Sequence, residues 1–114
     1  MLDELLILKK IKGGDIKAFE ELFRRYYFPL CCYAAGITGQ MEVAEEIVEE
    51  LFYVLWKERE RLQIFQSVKS YLYRATRNQS LQYCEHEEVR NRYRETVLTT
   101  SNPAVSYTHL TLPT

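Results

Sequence analysis

Acidic side chains recur at helical spacing around the segment AEEIVEELFYVLW, which occupies positions 44–56 of this 114-residue sequence. On a 3.6-residue period its apolar side chains share one stripe, and its charges lie on the other side. That outer side carries four carboxylates and two aromatic rings: Glu42, Glu46, Glu49, Glu50, Tyr53 and Trp56. Like charges four residues apart destabilise a helix by about 0.2–0.5 kcal/mol per pair. Because no lysine interrupts them, this face predicts a docking surface for a basic partner.

A second group of side chains with binding chemistry lies between residues 67 and 83. One predicted helix face collects cations, an aromatic ring, a hydroxyl and an amide: Lys69, Ser70, Tyr73, Arg74, Arg77 and Asn78. Cations spaced one turn apart can contact phosphates, and the aromatic and amide groups can stack on or hydrogen-bond exposed bases. An ordinary solvated surface has the same composition, because Lys and Arg are usually exposed. The residues alone leave both interpretations open.

The two groups fall in parts of the chain that carry opposite charge. Residues 1–56 hold ten acidic and six basic side chains, a net charge of −4. Residues 57–95 hold nine basic and six acidic side chains, a net charge of +3, although the whole chain has a net charge of only −1. Such an asymmetry suggests two partners, a basic protein surface for the first part and nucleic acid for the second.

Cysteine and histidine offer no catalytic or metal-binding constellation. Cys31 and Cys32 are adjacent, which suits neither a disulfide framework nor a CxxC metal site, so we predict reduced packing residues. Cys84 and His86 could share a metal ion, but two ligands are too few for a protein metal site. We therefore predict no enzyme activity, no catalytic residue, no metal and no cofactor.

The sequence shows neither a secretory signal nor a membrane segment. Its start, MLDELLILKK, places acidic residues before a short apolar stretch, the reverse of a secretory leader. No apolar run approaches the roughly 18–20 residues that a membrane helix needs. These features predict a cytoplasmic protein without membrane insertion.

Hydrophobic periodicity predicts an all-α fold, a small orthogonal or antiparallel helical bundle of about four helices. Asp15 and Ser67 are expected to cap the second and fourth helices, and Pro29 should kink or split the second. Residues 36–39 should break the chain before the third helix, and residues 61–66 should form a connecting loop. The predicted helices span residues 2–12, 15–35, 40–58 and 67 onward.

Each longer helix has a predicted buried stripe. In the second helix it consists of Ala18, Phe19, Leu22, Phe23, Tyr26, Leu30 and Tyr33. In the third helix it consists of Ala44, Ile47, Val48, Leu51, Phe52 and Leu55. In the fourth helix it consists of Val68, Leu72, Ala75, Gln79 and Tyr83. These stripes should meet in one small core.

Three segments resemble bacterial sigma factors. AEEIVEELFYVLW resembles the region 2.2 signature AED-I-V-Q-E-x-F-x-x-x-W, and GDIKAF at residues 14–19, with Leu22, Phe23, Tyr26 and Tyr27, resembles the region 2.1 pattern GDxxAFxxLyxxYy. SVKSYLYRATRN at residues 67–78 resembles the pattern of regions 2.3–2.4. Because the three occur in order over about residues 5–95, the chain resembles region 2 of an extracytoplasmic-function (ECF) type sigma factor.

For the acidic helix, the resemblance implies docking of core RNA polymerase, on the basic coiled coil of the clamp in the β′ subunit. The implied contact residues are Glu46, Glu49, Glu50, Tyr53 and Trp56. Glu46 stands where the signature has Asp, and Glu49 stands where it has Gln, which adds a negative charge and removes a donor. Against an Arg-rich surface this change can be neutral or favourable, because charge-assisted hydrogen bonds are the stronger kind.

For the fourth helix, the resemblance implies recognition and melting of the promoter −10 element on the non-template strand. A flipped base would enter a pocket built by the loop at residues 63–67. The implied DNA-binding residues are Gln66, Lys69, Ser70, Tyr73, Arg74, Arg77 and Asn78. The resemblance also implies an anti-sigma factor as a partner, and the sequence specifies no oligomeric state.

The end of the chain differs in composition from the rest. Residues 96–114 contain six threonines and no Asp, Glu, Lys or Arg. We therefore predict a region 2 domain at residues 1–95, truncated before region 4, and a non-native or disordered tail at residues 96–114.

Two other functional classes are weighed against this interpretation. One is a helical protein-interaction module with an acidic docking face and no DNA role. The other is a small helical enzyme or metal protein, which would need a convergent set of His, Cys and carboxylate side chains that the sequence does not offer.

Overall fold

A computed structural model describes residues 4–63 and 67–101 of the chain. In this part the regular elements are all helical, so the predicted all-α fold is confirmed. The chain divides into two compact units, Met1–Leu81 and Gln82–Thr114. No helix in the described part is long and apolar enough to cross a membrane. The elements are α1 (Glu4–Lys12), α2 (Ile16–Thr38), α3 (Met41–Lys57), a 3-10 helix (Arg59–Arg61) and α4 (Val68–Ser101).

Local capping chemistry sets the ends of α2. The Asp15 side chain accepts hydrogen bonds from the backbone N–H groups of Lys17 (3.0 Å) and Ala18 (3.2 Å), so its predicted N-cap role is confirmed. At the other end Gly39 has φ 78° and donates its N–H to the Ala35 carbonyl (2.8 Å). The left-handed conformation suits glycine. The helix continues through Thr38, so the break that was predicted at residues 36–39 consists of Gly39 alone among those four residues.

Pro29 does not split α2, which runs as one helix of 23 residues. Proline lacks the N–H that would donate one helical hydrogen bond, and its ring crowds the carbonyl four residues earlier, but Pro29 lies on the exposed side of the helix. Packing of α2 against both α1 and α3 holds the helix together across this gap. Of the two effects predicted for Pro29, the split is wrong, and the kink stays a prediction.

The bounds of α3 and the start of α4 agree with the sequence. Gln40 and Glu58 are the residues that flank α3. Ser67 caps α4, because its hydroxyl accepts the backbone N–H of Ser70 (3.2 Å). Arg61, predicted as loop, belongs to the 3-10 helix, and residues 64–66 of the predicted loop lie outside the described residues. The predicted domain boundary at residue 95 falls within α4, whose described part ends at Ser101.

The core of the first unit is built mainly from aliphatic side chains and Phe52. The predicted stripe of α3 is confirmed, with Ile47 and Leu51 half-buried at its edges. In α2, Tyr33 is exposed rather than buried, and Cys31 and Ala34 occupy the interior instead. The fully buried positions with the largest side chains include Ile7, Ile11, Leu22, Leu30, Phe52, Leu55 and Leu72.

Two further residues that were predicted to lie in the interior, one in α2 and one in α4, are exposed. Cys32 is exposed, although Cys31 is a buried packing residue as predicted. In α4, Gln79 is exposed, while Thr76 and Ser80 are fully buried. The buried row follows four-residue steps from Val68 through Leu72, Thr76 and Ser80. Thr76 and Ser80 are not part of the predicted stripe, yet the small size of their side chains suits a closely packed helix face.

A polar contact ties α1 to α2. The Tyr26 hydroxyl donates to Glu4 (2.6 Å), and the Arg25 guanidinium donates to the same carboxylate (3.3 Å). Burial is the main cause that raises the pKa of Tyr26 to about 12, and the hydrogen bond to Glu4 is the second. The hydroxyl therefore stays a donor at physiological pH. Glu21 also pairs with Arg25 (3.0 Å).

Candidate functional site: the outer faces of α3 and α4

The acidic face of α3 points to solvent because the opposite face is buried. Val48, Phe52 and Leu55 pack into the core, and this fixes the rotation of the helix about its axis. The four carboxylates on the outer side are all exposed: Glu42, Glu46, Glu49 and Glu50. The structure thus brings together the acidic side chains that the sequence grouped.

Within the described residues the ion pairs lie outside α3, although Asp15, Glu20, Glu60 and Glu85 form no ion pair there either. Five carboxylates outside α3 form ion pairs: Glu4–Arg25, Glu21–Arg24 and Arg25, Glu58–Arg61, Glu87–Arg90, and Glu88–Arg92. In the described part of the chain no ion pair involves Glu42, Glu46 or Glu50. Exposed ion pairs contribute little stability, about 0–1 kcal/mol each. Their distribution matters more here, because the α3 face keeps its full negative charge.

Glu49 has a contact that sequence reasoning missed. The Tyr27 hydroxyl on α2 donates to Glu49 Oε2 (3.1 Å), across a separation of 22 residues. The Tyr27 ring is stacked on Phe23, with centroids 4.8 Å apart. Burial is the main cause that raises the pKa of the Tyr27 hydroxyl above its usual value, and the hydrogen bond to the Glu49 carboxylate is the second. The signal available in the sequence was the position of Tyr27, which lies between the predicted buried residues Tyr26 and Leu30.

The two aromatic rings of the predicted docking face have different environments. Tyr53 is 60% exposed, and Lys57 Nζ lies 5.9 Å from its ring centroid. Trp56 is half-buried and packs against Phe19, with ring centroids 5.1 Å apart. The Arg59 guanidinium covers Trp56 at 4.3 Å and donates to its backbone carbonyl (2.9 Å). Trp56 therefore fills part of the core and also carries a cation on its ring.

The outer face of α4 carries the basic group. Its exposed members are Lys69, Ser70, Arg74, Arg77 and Asn78. Within the described residues the three cations of this face form no ion pair, whereas Arg90 and Arg92 further along α4 do. An exposed row of unpaired cations at helical spacing can bind a polyanion such as a nucleic-acid backbone.

Two further residues of the predicted DNA set stand apart. Tyr73 was expected to point outward, but it is half-buried and meets Tyr33 edge-on, with ring centroids 5.1 Å apart. Tyr33 itself is exposed, so this aromatic pair lies at the edge of the core. Gln66 lies outside the described residues.

The described residues contain no cluster suited to a metal ion. No group of three or more His, Cys, Asp or Glu side chains is arranged as a metal site in residues 4–63 and 67–101. The candidate pair Cys84 and His86 thus finds no third ligand there. What the two helical faces offer chemically is binding, through charge and aromatic surface.

Comparison with known proteins identifies a family over most of these elements. Residues 22–89, more than half of the chain, match the family described as Sigma-70 region 2. The matched residues run from α2 through α3 to α4 and include both charged faces. No curated protein and no solved structure matches the chain.

Proposed function

The chain belongs to the sigma-70 region 2 family, and from that premise we propose how it engages its partners. The family acts in transcription initiation as a non-enzymatic domain, with core RNA polymerase and promoter DNA as partners. We propose an ECF-type member of it, because of the three resembling segments quoted above. Its proposed location is the bacterial cytoplasm.

The proposed polymerase-docking face binds the coiled coil of the β′ clamp. It consists of Glu46, Glu49, Glu50, Tyr53 and Trp56. The observation that supports this assignment is the run of exposed carboxylates on α3, which form no ion pair with any described cation. A basic partner can supply the missing cations, and charge complementarity favours both fast encounter and correct register. An anti-sigma factor would compete for the same face.

The proposed DNA-binding face lies on α4 and in the loop before it. Lys69, Arg74 and Arg77 contact phosphates, while Ser70, Tyr73 and Asn78 contact sugars or bases. Gln66 belongs to the proposed pocket for a base flipped from the non-template strand of the −10 element. Unstacking a base costs a few kcal/mol, and contacts in the pocket offset this cost. Melting of the −10 element therefore needs no external energy source.

Capture of core RNA polymerase by the immobilised full chain tests the docking face. The wild type should capture the polymerase, and Glu50→Lys should lose it, because the change reverses one charge and places a cation against a basic surface. Glu85→Lys is the matched control, since it makes the same charge change at an exposed position of α4 outside both proposed faces. Equal capture by wild type and Glu50→Lys would refute the assignment. No capture by the folded wild type, together with no affinity for single-stranded promoter DNA, would favour the alternative, a helical interaction module whose acidic face binds a different basic partner and which has no DNA role.

A further inference from the structure

We propose that Tyr27 is a positioning residue for polymerase docking: its hydroxyl holds the Glu49 side chain in the orientation that the partner binds. The inference rests on the proposed function of the α3 face. It adds to that face a residue on another helix, which need not contact the polymerase itself.

The Tyr27 ring is held by an aromatic column that reaches the core. It stacks on Phe23 at an interplanar angle of 21°, and Phe23 in turn meets Phe52, with ring centroids 5.0 Å apart. Phe52 is 1% exposed. Because both neighbouring rings are fixed by packing, the Tyr27 hydroxyl is a donor at a defined position beside α3.

Glu49 is the one carboxylate of the docking face that a described contact holds in place. Its Oε2 accepts from Tyr27 (3.1 Å), whereas Glu46 and Glu50 have no described side-chain partner. An ionised carboxylate has two acceptor oxygens, so Oε1 stays available to a cationic partner. Ordering a rotamer-rich side chain before binding removes an entropic cost that the complex would otherwise bear.

The same contact gives a reason for glutamate at position 49, where the resembling signature has glutamine. A carboxylate only accepts hydrogen bonds, so both of its oxygens suit donors, one from Tyr27 and one from the partner. Hydrogen bonds to a charged acceptor are roughly twice as strong as neutral ones. Since the tyrosine is neutral, it orients Glu49 without cancelling the charge that the partner recognises.

The neighbouring tyrosine supplies a matched control. Tyr26 also donates its hydroxyl from α2 to a carboxylate, but that carboxylate is Glu4 on α1, outside the docking face (2.6 Å). Tyr26→Phe and Tyr27→Phe each delete one hydroxyl and keep the ring. They differ in which helix loses a hydrogen bond.

The test measures the Kd of the full chain for core RNA polymerase. Tyr27→Phe should weaken binding about two- to tenfold, the factor expected for ordering one such side chain. Tyr26→Phe should bind as the wild type does. In a Glu49→Ala background Tyr27→Phe should have no further effect, because a positioning residue acts only through the group that it positions.

The outcomes separate the two levels of the proposal. If Glu50→Lys loses binding while Tyr27→Phe binds like the wild type, the role of Tyr27 is overturned and the docking face stands. An equal loss from Tyr27→Phe with and without Glu49 would also overturn it, by assigning Tyr27 a structural role. Normal binding by Glu50→Lys overturns the docking face and the inference with it.

A second variant keeps the test valid if circular dichroism shows that Tyr27→Phe does not fold. Glu49→Asp retains the charge but is one methylene shorter, so it cannot keep the 3.1 Å contact with Tyr27 from the same backbone position. It should weaken binding by a similar factor. Unchanged affinity of Glu49→Asp overturns the inference.

Discussion

Helices α3 and α4 both show a charged outer face and a buried inner face, but they close the inner face with different chemistry. The inner face of α3 is apolar along its length, with Ala44, Val48, Phe52 and Leu55 buried. That of α4 begins with Val68 and Leu72 and continues with Thr76 and Ser80, whose buried hydroxyls have no hydrogen-bond partner in the described residues. The acidic helix is therefore anchored by the stronger hydrophobic contacts.

The outer faces of α3 and α4 also differ in how firmly contacts with neighbouring elements hold their side chains, and again α3 is the better held. Neighbouring elements hold two side chains of the α3 face, Glu49 through Tyr27 and Trp56 through Arg59. The cations of the α4 face, Lys69, Arg74 and Arg77, have no such support among the described contacts. Preordered side chains such as Glu49 and Trp56 suit a folded protein partner, since they lose less entropy on binding. Exposed cations that form no described ion pair suit a nucleic-acid backbone, which presents phosphates at regular intervals.

The largest expected effect breaks the anchor of α3. Phe52→Ala removes a side chain that is 1% exposed and contacts both Phe19 and Phe23. It should lower the free energy of unfolding by about 3–5 kcal/mol, through lost burial and the cavity left behind. Tyr53→Ala, one position along on the exposed face, should change it by no more than about 0.5 kcal/mol. Urea unfolding followed by circular dichroism measures both, and equal losses would contradict the assigned rotation of α3.

The next prediction concerns the cations of α4. The double variant Arg74→Ala/Arg77→Ala should weaken binding of single-stranded promoter DNA. It should also flatten the plot of log Kd against log salt by about 0.7 for each phosphate contact removed. Arg90→Ala, which alters a cation already paired with Glu87 (2.9 Å), is the control and should have a smaller effect. Fluorescence anisotropy at several salt concentrations gives the slope. An unchanged slope for the double variant would show that these arginines contact no phosphates.

Hydrophobic periodicity and capping rules predicted α3 well, because its signals are local. Val48, Phe52 and Leu55 repeat at helical spacing, and apolar side chains on such a stripe are buried in almost any small bundle. Asp15 could be assigned as an N-cap for the same reason, since its partners are two and three residues away. The sequence therefore predicted the fold class, the helix order and the exposed acidic face.

The contacts that the sequence did not predict depend on tertiary packing. The Tyr27–Glu49 hydrogen bond joins residues 22 positions apart, and no local rule sets which tyrosine reaches which glutamate. Arg59 covers Trp56 from the first position of the 3-10 helix that follows the end of α3. In α4, the choice between Gln79 and Thr76 for the interior depends on the rotation of the helix against its neighbours. Hydrophobic periodicity alone does not decide which of two neighbouring rows of side chains on a helix faces the interior.

The smallest expected effect tests the buried hydroxyls that distinguish α4 from α3. Thr76→Val keeps the shape and similar helix propensity, and it removes a buried hydroxyl without a described partner. It should raise the free energy of unfolding by about 1 kcal/mol, since an unsatisfied buried polar group costs about 1–3 kcal/mol.

The same substitution in α2 should have the opposite sign. The Thr38 hydroxyl donates to the Ala34 carbonyl (3.0 Å) and accepts the N–H of Gln40 (3.3 Å), so Thr38→Val loses both bonds. The free energy of unfolding should fall by about 1 kcal/mol. Urea unfolding of the two variants compares them directly. A loss of stability in both would mean that the Thr76 hydroxyl has a hydrogen-bond partner, and α4 would then be anchored in the interior by a polar contact that α3 lacks.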